Sequence, residues 1–203
     1  MRLLRSIGFV VCFLILSAGL VFAEPIKIGA MLCLTGSCAS DGQAALEGMN
    51  LALKELPQVP GGLEVNIVVQ DTSEATIGTT AVTAYRNLYN SGIRLFVGPT
   101  WSNAGQALAP IVAKAKDVVA LTPSVGMPVF HLAGDNIFNL RGTDELAMKK
   151  TARIARDLGV QKIAIFGSQQ NWSMEQAGSF EKEFVALEGR WYQRLNPCQE
   201  RLI

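Results

Sequence analysis

The stretch Phe96–Ala107, FVGPTWSNAGQA, continues the apolar run that starts at Ile93 and decides how the chain is organised. A run that is apolar apart from Arg94 describes a strand covered on both faces, whereas SNAGQALAPIVAKAK (102–116) carries its apolar side chains at helical spacing. Gly98, Pro99, Thr100 and Trp101 make the turn between them. A buried strand that breaks directly into a helix is the leading half of a right-handed crossover between parallel strands.

The same alternation runs outward in both directions. IKIGAML (26–32) and LEVNIVVQD (63–71) read as strands, each followed by a helical segment, SDGQAALEGMNLALKEL (40–56) and ATIGTTAVTAYRNLYNSG (75–92). Ser40 and Gln43 form an S-x-x-Q pattern expected to box the start of the first helix. VVALTP (118–123) and IFNL (137–140) give a fourth and fifth strand. DELAMKKTARIARDLG, KIAIFG and SMEQAGSFEKEFVALEG then restart the pattern over 144–189. The expected fold class is α/β, a doubly wound parallel sheet covered by helices. In open sheets of this class ligands bind beyond the carboxyl ends of the strands. Here those ends are Leu34–Ser40, Asp71–Ser73, Pro99–Asn103 and Thr122–Gly126, rich in Thr, Ser, Asn and Gly and without His, Lys or Arg. Such a rim suits recognition better than bond-breaking.

The compartment is read from the first residues. Arg2 and Arg5 precede an apolar core, and small residues stand at Val21 and Ala23, so residues 1–23 are expected to be a cleavable signal peptide. The alternative is an uncleaved anchor, although the apolar run is short for a hydrocarbon core of about 30 Å. Removing the leader takes away two of 18 basic residues and none of the 17 acidic ones, leaving 16 against 17, a net charge of −1. That balance offers no electrostatic footprint for nucleic acid. Of four cysteines, Cys12 leaves with the leader, and Cys33, Cys38 and Cys198 remain. Cys33 and Cys38 can close a small loop in an oxidising compartment, or stay as thiols. A single histidine, His131, and no Cys-x-x-Cys pair leave no metal-ligand cluster, and no cofactor fingerprint is present.

At the turn after Val97, Ser102 or Asn103 is placed to cap its own helix, as serine often does. The competing reading is a seat for a carboxylate, since the first N–H groups of a helix lack partners and its dipole favours anions. The turn TPSVG (122–126) repeats the device on the adjoining strand and favours the second reading. Trp101 is open to either stacking on a ligand or packing in the core.

With the leader, IKIGAMLCLTGSCASDGQAALEGMNLALKEL (26–56) resembles the start of the branched-chain amino-acid type of periplasmic binding protein, which serves ATP-driven ABC importers. FVGPTWSNAGQALAPI and VVALTPSVGMP resemble that family's third and fourth strand-turn units, and the likeness runs from about Ile26 to Gly189. The resemblance implies a type I binding-protein fold whose two α/β lobes close over the ligand by a hinge movement. It divides the chain into a first lobe at 24–140, the beginning of a second lobe at 141–189, and a divergent tail at 190–203. It implies that Ser102, Asn103, Ser124 and Gly126 hold the ligand carboxylate. Thr35 and Asp41 lie beside the ligand, and Trp172 closes over it. Members that bind branched amino acids often carry an aromatic near the position of Asp41. The implied partners are a small amino acid or carboxylate and a permease at the inner membrane, with a periplasmic location, no cofactor and no catalysis.

Family members continue well past this length, and the part that supplies their ammonium-binding acid has no counterpart here. A Val-rich strand is expected after Gly189, where the chain reads RWYQRLNPCQERLI. A one-base slip that turns Val-Val into Trp191-Tyr192 would account for this, a natural truncated form being the alternative, and the DNA immediately downstream decides between them. The expectation is a truncated member, unstable or aggregating when expressed alone. Two rivals remain: a ligand-sensing ectodomain of the same fold, and a secreted α/β hydrolase using Ser102 or Ser168 with His131 as base.

Overall fold

The computed structural model describes residues 24–55, 64–73 and 78–195, with side chains as far as Arg190. The expected leader and Cys198 lie outside the described residues. Strands and helices alternate as β1 (Ile26–Leu32), α1 (Ala39–Glu55), β2 (Val65–Asp71), α2 (Thr79–Asn90), β3 (Leu95–Val97), α3 (Ser102–Val112) and β4 (Val119–Thr122). There follow α4 (Pro128–His131), β5 (Ile137–Asn139), α5 (Asp144–Asp157), β6 (Lys162–Phe166), α6 (Asn171–Ala186) and β7 (Arg190–Leu195).

The first five strands form one parallel sheet in the order β2-β1-β3-β4-β5. The chain moves outward from β1 to β2, then back across β1 to β3 and onward. That reversal puts α1 on one face and the later crossovers on the other, and it opens a crevice beyond the carboxyl ends of β1 and β3. The parallel α/β architecture is the one expected from the alternation of apolar runs.

The two faces are unequally covered. Phe96, Ala120 and Ile137 point to one side and pack with Met31, Tyr85, Leu88, Leu108, Val112, Val125 and Phe130 in a continuous core. Because side chains alternate along a strand, the next residues face the opposite way. Leu95 and Val119, which pair in register, are 42% and 43% exposed, and Phe138, paired with Leu121, is 51% exposed. The single helix on that side, α1, buries only Gly42.

The loop after β1 is held by a Cys33–Cys38 disulfide with a Cα–Cα separation of 5.8 Å. This bridge brings Cys38 to the start of α1, where its carbonyl accepts from the N–H groups of Asp41 (3.1 Å) and Gly42 (3.3 Å). The helix therefore begins at Ala39, and Ser40 and Gln43 lie inside it rather than forming the expected capping box. Glycine is required at position 42, where an added Cβ would stand 1.8 Å from the Cys33 carbonyl oxygen.

Asp71, at the end of β2, ties the loop after β1 to the loop after β2. Its carboxylate accepts from Leu34 N–H (2.8 Å), Ser73 N–H (2.8 Å) and the Thr35 hydroxyl (2.7 Å). Burial alone pushes this carboxyl up, but the bonds from Thr35, Leu34 and Ser73 together outweigh it, and its pKa falls below the ordinary 3.8. A lowered carboxyl contributes stability that is present above the unfolded value and is lost as the pH falls through the folded one. Asp71→Ala is expected to cost about 2 kcal/mol at neutral pH, in line with charge-assisted hydrogen bonds. The deficit against wild type should shrink in acid below 3.8. Urea unfolding at pH 7 and pH 3 checks both parts; a pH-independent deficit would contradict the account.

Beyond β5, Thr143 caps α5 by accepting from Leu146 N–H (3.4 Å), with Asp144 and Glu145 in the first turn and Arg156 in the last, matching the helix dipole. α5 packs against α6, and α6 against β7 of a two-stranded parallel sheet formed with β6. Phe184 is fully buried beside them. Residues 190–195, which the sequence reading set apart as tail, form β7 and pair with β6 across one irregularity between Ile163 and Ala164. Backbone pairing needs no particular side chain, so a strand forms there without the expected valines.

Candidate binding cleft

Gly98 starts the turn that makes the site. It has φ 108°, and a Cβ there would lie 2.1 Å from Met31 O, so this position needs glycine on both counts. The Gly98–Pro99 peptide is cis. The chain then runs through Thr100 and Trp101 into α3, whose first internal bond is Gly105 N–H to Trp101 O (3.0 Å). The N–H groups of Ser102, Asn103 and Ala104 stand ahead of that bond. Trp101 is the N-cap residue, and its indole makes no capping bond. The expected cap by Ser102 or Asn103 is absent because the helix already includes both at its first positions. Ser102 is only 7% exposed, and among the described residues no hydrogen bond to its hydroxyl is formed.

The neighbouring turn after β4 uses its polar groups differently. The Thr122 hydroxyl donates to Pro99 O (2.7 Å) and accepts from the N–H groups of Val125 (3.1 Å) and Ser124 (3.4 Å). The Ser124 hydroxyl donates to Thr100 O (2.8 Å). The two turns are thus bonded to each other, and two amide donors of the second, those of Ser124 and Val125, are satisfied internally. The two expected sets of donors are therefore not equivalent: Thr122 engages the amides of Ser124 and Val125, whereas among the described residues those of Ser102, Asn103 and Ala104, and that of Gly126, have no such bond.

A third segment completes the arrangement. Arg141, just beyond β5, donates from Nη1 to Ser124 O (3.3 Å) and from Nη2 to the Asp144 carboxylate. The other oxygen of Asp144 accepts from Trp172 Nε1 at 2.6 Å. Asp144 is 5% exposed, and Gly126 makes room for it: a Cβ there would fall 1.7 Å from Asp144 Oδ2. One buried carboxylate therefore joins the strand-end loops of the five-stranded sheet to the first turn of α6. Asn171 Nδ2, donating to Gln106 Oε1 (2.9 Å), adds a second link between α6 and α3.

These elements enclose a cleft of about 360 Å³ lined by Asp41, Thr100, Trp101, Ser102, Ser124, Arg141 and Trp172. Four residues expected from sequence, Asp41, Ser102, Ser124 and Trp172, meet there. Three do not. Thr35 is spent on Asp71, Gly126 backs Asp144, and Asn103 is buried with its Oδ1 lacking a partner. His131 is not among the lining residues. Arg141 contradicts the expectation of a rim without basic side chains. The strand-end rule, carried one strand further to IFNL, leads directly to it.

A family model described as periplasmic binding protein matches residues 25–195. The Leu/Ile/Val-binding protein BraC3 of Rhizobium johnstonii is 25% identical over 171 residues, which is 81% of this chain and 46% of that protein. Among solved structures, the leucine-binding protein LivK of Thermotoga maritima superposes with a TM-score of 0.75 at 26% identity, covering 84% of this chain and 48% of that one. A solute-binding protein of an ABC transporter from Rhodopseudomonas palustris BisB5, in complex with 3,4-dihydroxybenzoic acid, gives 0.76 at 20% identity, covering 85% and 47%. LivJ from Streptococcus pneumoniae, in complex with isoleucine, gives 0.74 at 23% identity, covering 85% and 49%; these last two likenesses speak for the fold alone. The chain spans about half the length of the relatives it matches. With its parallel sheet, strand-end cleft and a family match over 25–195, this chain belongs to the periplasmic binding proteins.

Proposed function

We propose that this protein is the solute-binding component of an ABC importer, exported by a cleaved leader over 1–23, and that it holds a small carboxylate in the cleft between Ser102, Arg141 and Trp172. The observation that carries the reading is the α3 terminus. Its leading N–H groups and the hydroxyl of Ser102, a residue 7% exposed whose hydroxyl forms no hydrogen bond among the described residues, border a cleft that also contains a guanidinium. Unpaired donors in a sheltered place are costly unless something accepts from them, and a carboxylate has the oxygen lone pairs to do so. Ser124 acts at one remove, fixing the Thr100 carbonyl and hence the turn. The lobe division at residue 140, delivery to an inner-membrane permease and a periplasmic location belong to the same reading.

Calorimetry of the chain from Glu24 against a panel of amino acids and simple carboxylates tests it. At least one carboxylate is expected to bind, and Ser102→Ala should weaken it about tenfold, the loss of one charge-assisted hydrogen bond. Binding unchanged in Ser102→Ala, or confined to uncharged solutes, would contradict the reading.

A further inference from the structure

Among solved structures similar to this chain, one holds isoleucine and others hold benzoate-type acids, so the ligand class must come from the residues of this cleft. We infer that it selects aromatic carboxylates over aliphatic amino acids, with Trp101 and Trp172 as ring platforms and Arg141 as a second partner for the anion. The inference rests on the reading that the cleft binds a carboxylate.

Three observations carry it. First, apart from the methyl of Thr100 and the stem of Arg141, the apolar side-chain surface among the described lining residues is indole: Trp101 at the start of α3 and Trp172 at the start of α6. Among the described residues no Leu, Ile, Val or Phe lines the cleft. Flat π-faces favour another ring, by about 0.5–1.5 kcal/mol beyond the area buried, whereas a branched aliphatic chain gains no such term. A volume of about 360 Å³ lies at the small end of the range of about 300–1,000 Å³ for ligand sites, fitting a single-ring compound.

Second, the cleft treats the two ends of an amino acid unequally. An ammonium needs acceptors. Asp144 is taken by Arg141 and Trp172, and its Oδ2 side is closed by the Gly126 backbone. The Ser124 hydroxyl gives its proton to Thr100 O, and it and Ser102 offer an ammonium only neutral oxygen lone pairs. The remaining carboxylate, Asp41, is exposed in the first turn of α1, where water screens it. Anions fare better, because Arg141 has five donors and its bonds to Asp144, Ser124 and Gly142 engage three.

Third, Trp172 is held in place before any ligand arrives. Its Nε1 bond to Asp144 fixes one edge of the indole while the side chain stays part-exposed at the cleft. A platform with its rotamer already set loses less entropy when a ring stacks on it.

The test compares benzoate with cyclohexanecarboxylate, which has the same charge and nearly the same size but no π-system, and with leucine and isoleucine. Calorimetry on the full chain is expected to give benzoate about tenfold tighter binding than cyclohexanecarboxylate, and tighter still than either amino acid. Trp172→Leu should erase the preference for benzoate and leave cyclohexanecarboxylate nearly unchanged, whereas Trp172→Phe retains most of it. Circular dichroism verifies that each variant is folded, and Trp101→Leu supplies the comparison if Trp172→Leu is not. Arg141→Gln should weaken both acids alike. Equal affinity for the two ring acids, or tighter binding of leucine or isoleucine, overturns the aromatic assignment while the carboxylate reading stands. Failure of every carboxylate to bind overturns both.

Discussion

Asp144→Ala is expected to destabilise the protein by about 2–3 kcal/mol and to weaken carboxylate binding at least tenfold. The side chain is 8% exposed and accepts from both Arg141 and Trp172, so removing it leaves two donors with nothing to donate to. Breaking a fully buried ion pair costs about 3–5 kcal/mol, but the Arg141 side chain is 43% exposed and recovers part of its hydration, which sets the lower figure. The binding loss has another origin: without the carboxylate, neither the guanidinium nor the indole keeps its place at the cleft. Asp144→Asn separates the two effects. An amide oxygen still accepts from Trp172 Nε1, so the indole stays while the ion pair is lost, and both losses should fall between wild type and alanine. Urea unfolding and calorimetry on the two variants check this. Equal behaviour of alanine and asparagine would show that the Trp172 bond contributes nothing.

The second large effect is on association. Leu95, Val119 and Phe138 present a half-exposed apolar surface across three adjacent strands, and Phe166 on β6 is 65% exposed. Contiguous apolar surface of this kind drives self-association, and sheet edges add a template for it. The chain from Glu24 is expected to form concentration-dependent oligomers or aggregates at micromolar concentrations. Replacing Val119 and Phe138 by threonine keeps strand-forming residues and removes apolar surface from the open face. That double variant should shift sedimentation velocity profiles markedly toward monomer without unfolding the core, since neither side chain belongs to the buried cluster. An unaltered profile would place the sticky surface elsewhere.

The fold was legible because parallel strands flanked by helices are largely apolar, as IKIGAML, IRLFVG and VVALTP are, even though Leu95 and Val119 prove half-exposed. The helix starts were less so. Ser40 and Gln43 have the spacing of a capping box, yet the Cys33–Cys38 bridge, which a one-dimensional reading leaves open, starts the helix earlier. At the cleft, Ser102, Ser124, Asp41 and Trp172 could be named from strand-end position and family resemblance. Asp144 could not, because an acid in the first turn of a helix is an ordinary dipole-matching residue. Its role depends on Gly126 and Trp172, 18 and 28 residues away in sequence. The contrast between the two turns was equally hidden. TPSVG and PTWSN are alike in composition, and only the path of the Thr122 hydroxyl decides which amides are left free.

The central claim, that a carboxylate sits on the open terminus of α3, is tested most directly by following backbone amide resonances of labelled protein during titration with benzoate. The account predicts large, saturable shifts at Ser102, Asn103 and Ala104, with smaller ones at Ser124 and Val125, whose amides already donate to Thr122. Shifts confined to the second turn or to the β6–β7 region, with the α3 terminus unmoved at saturation, would contradict it.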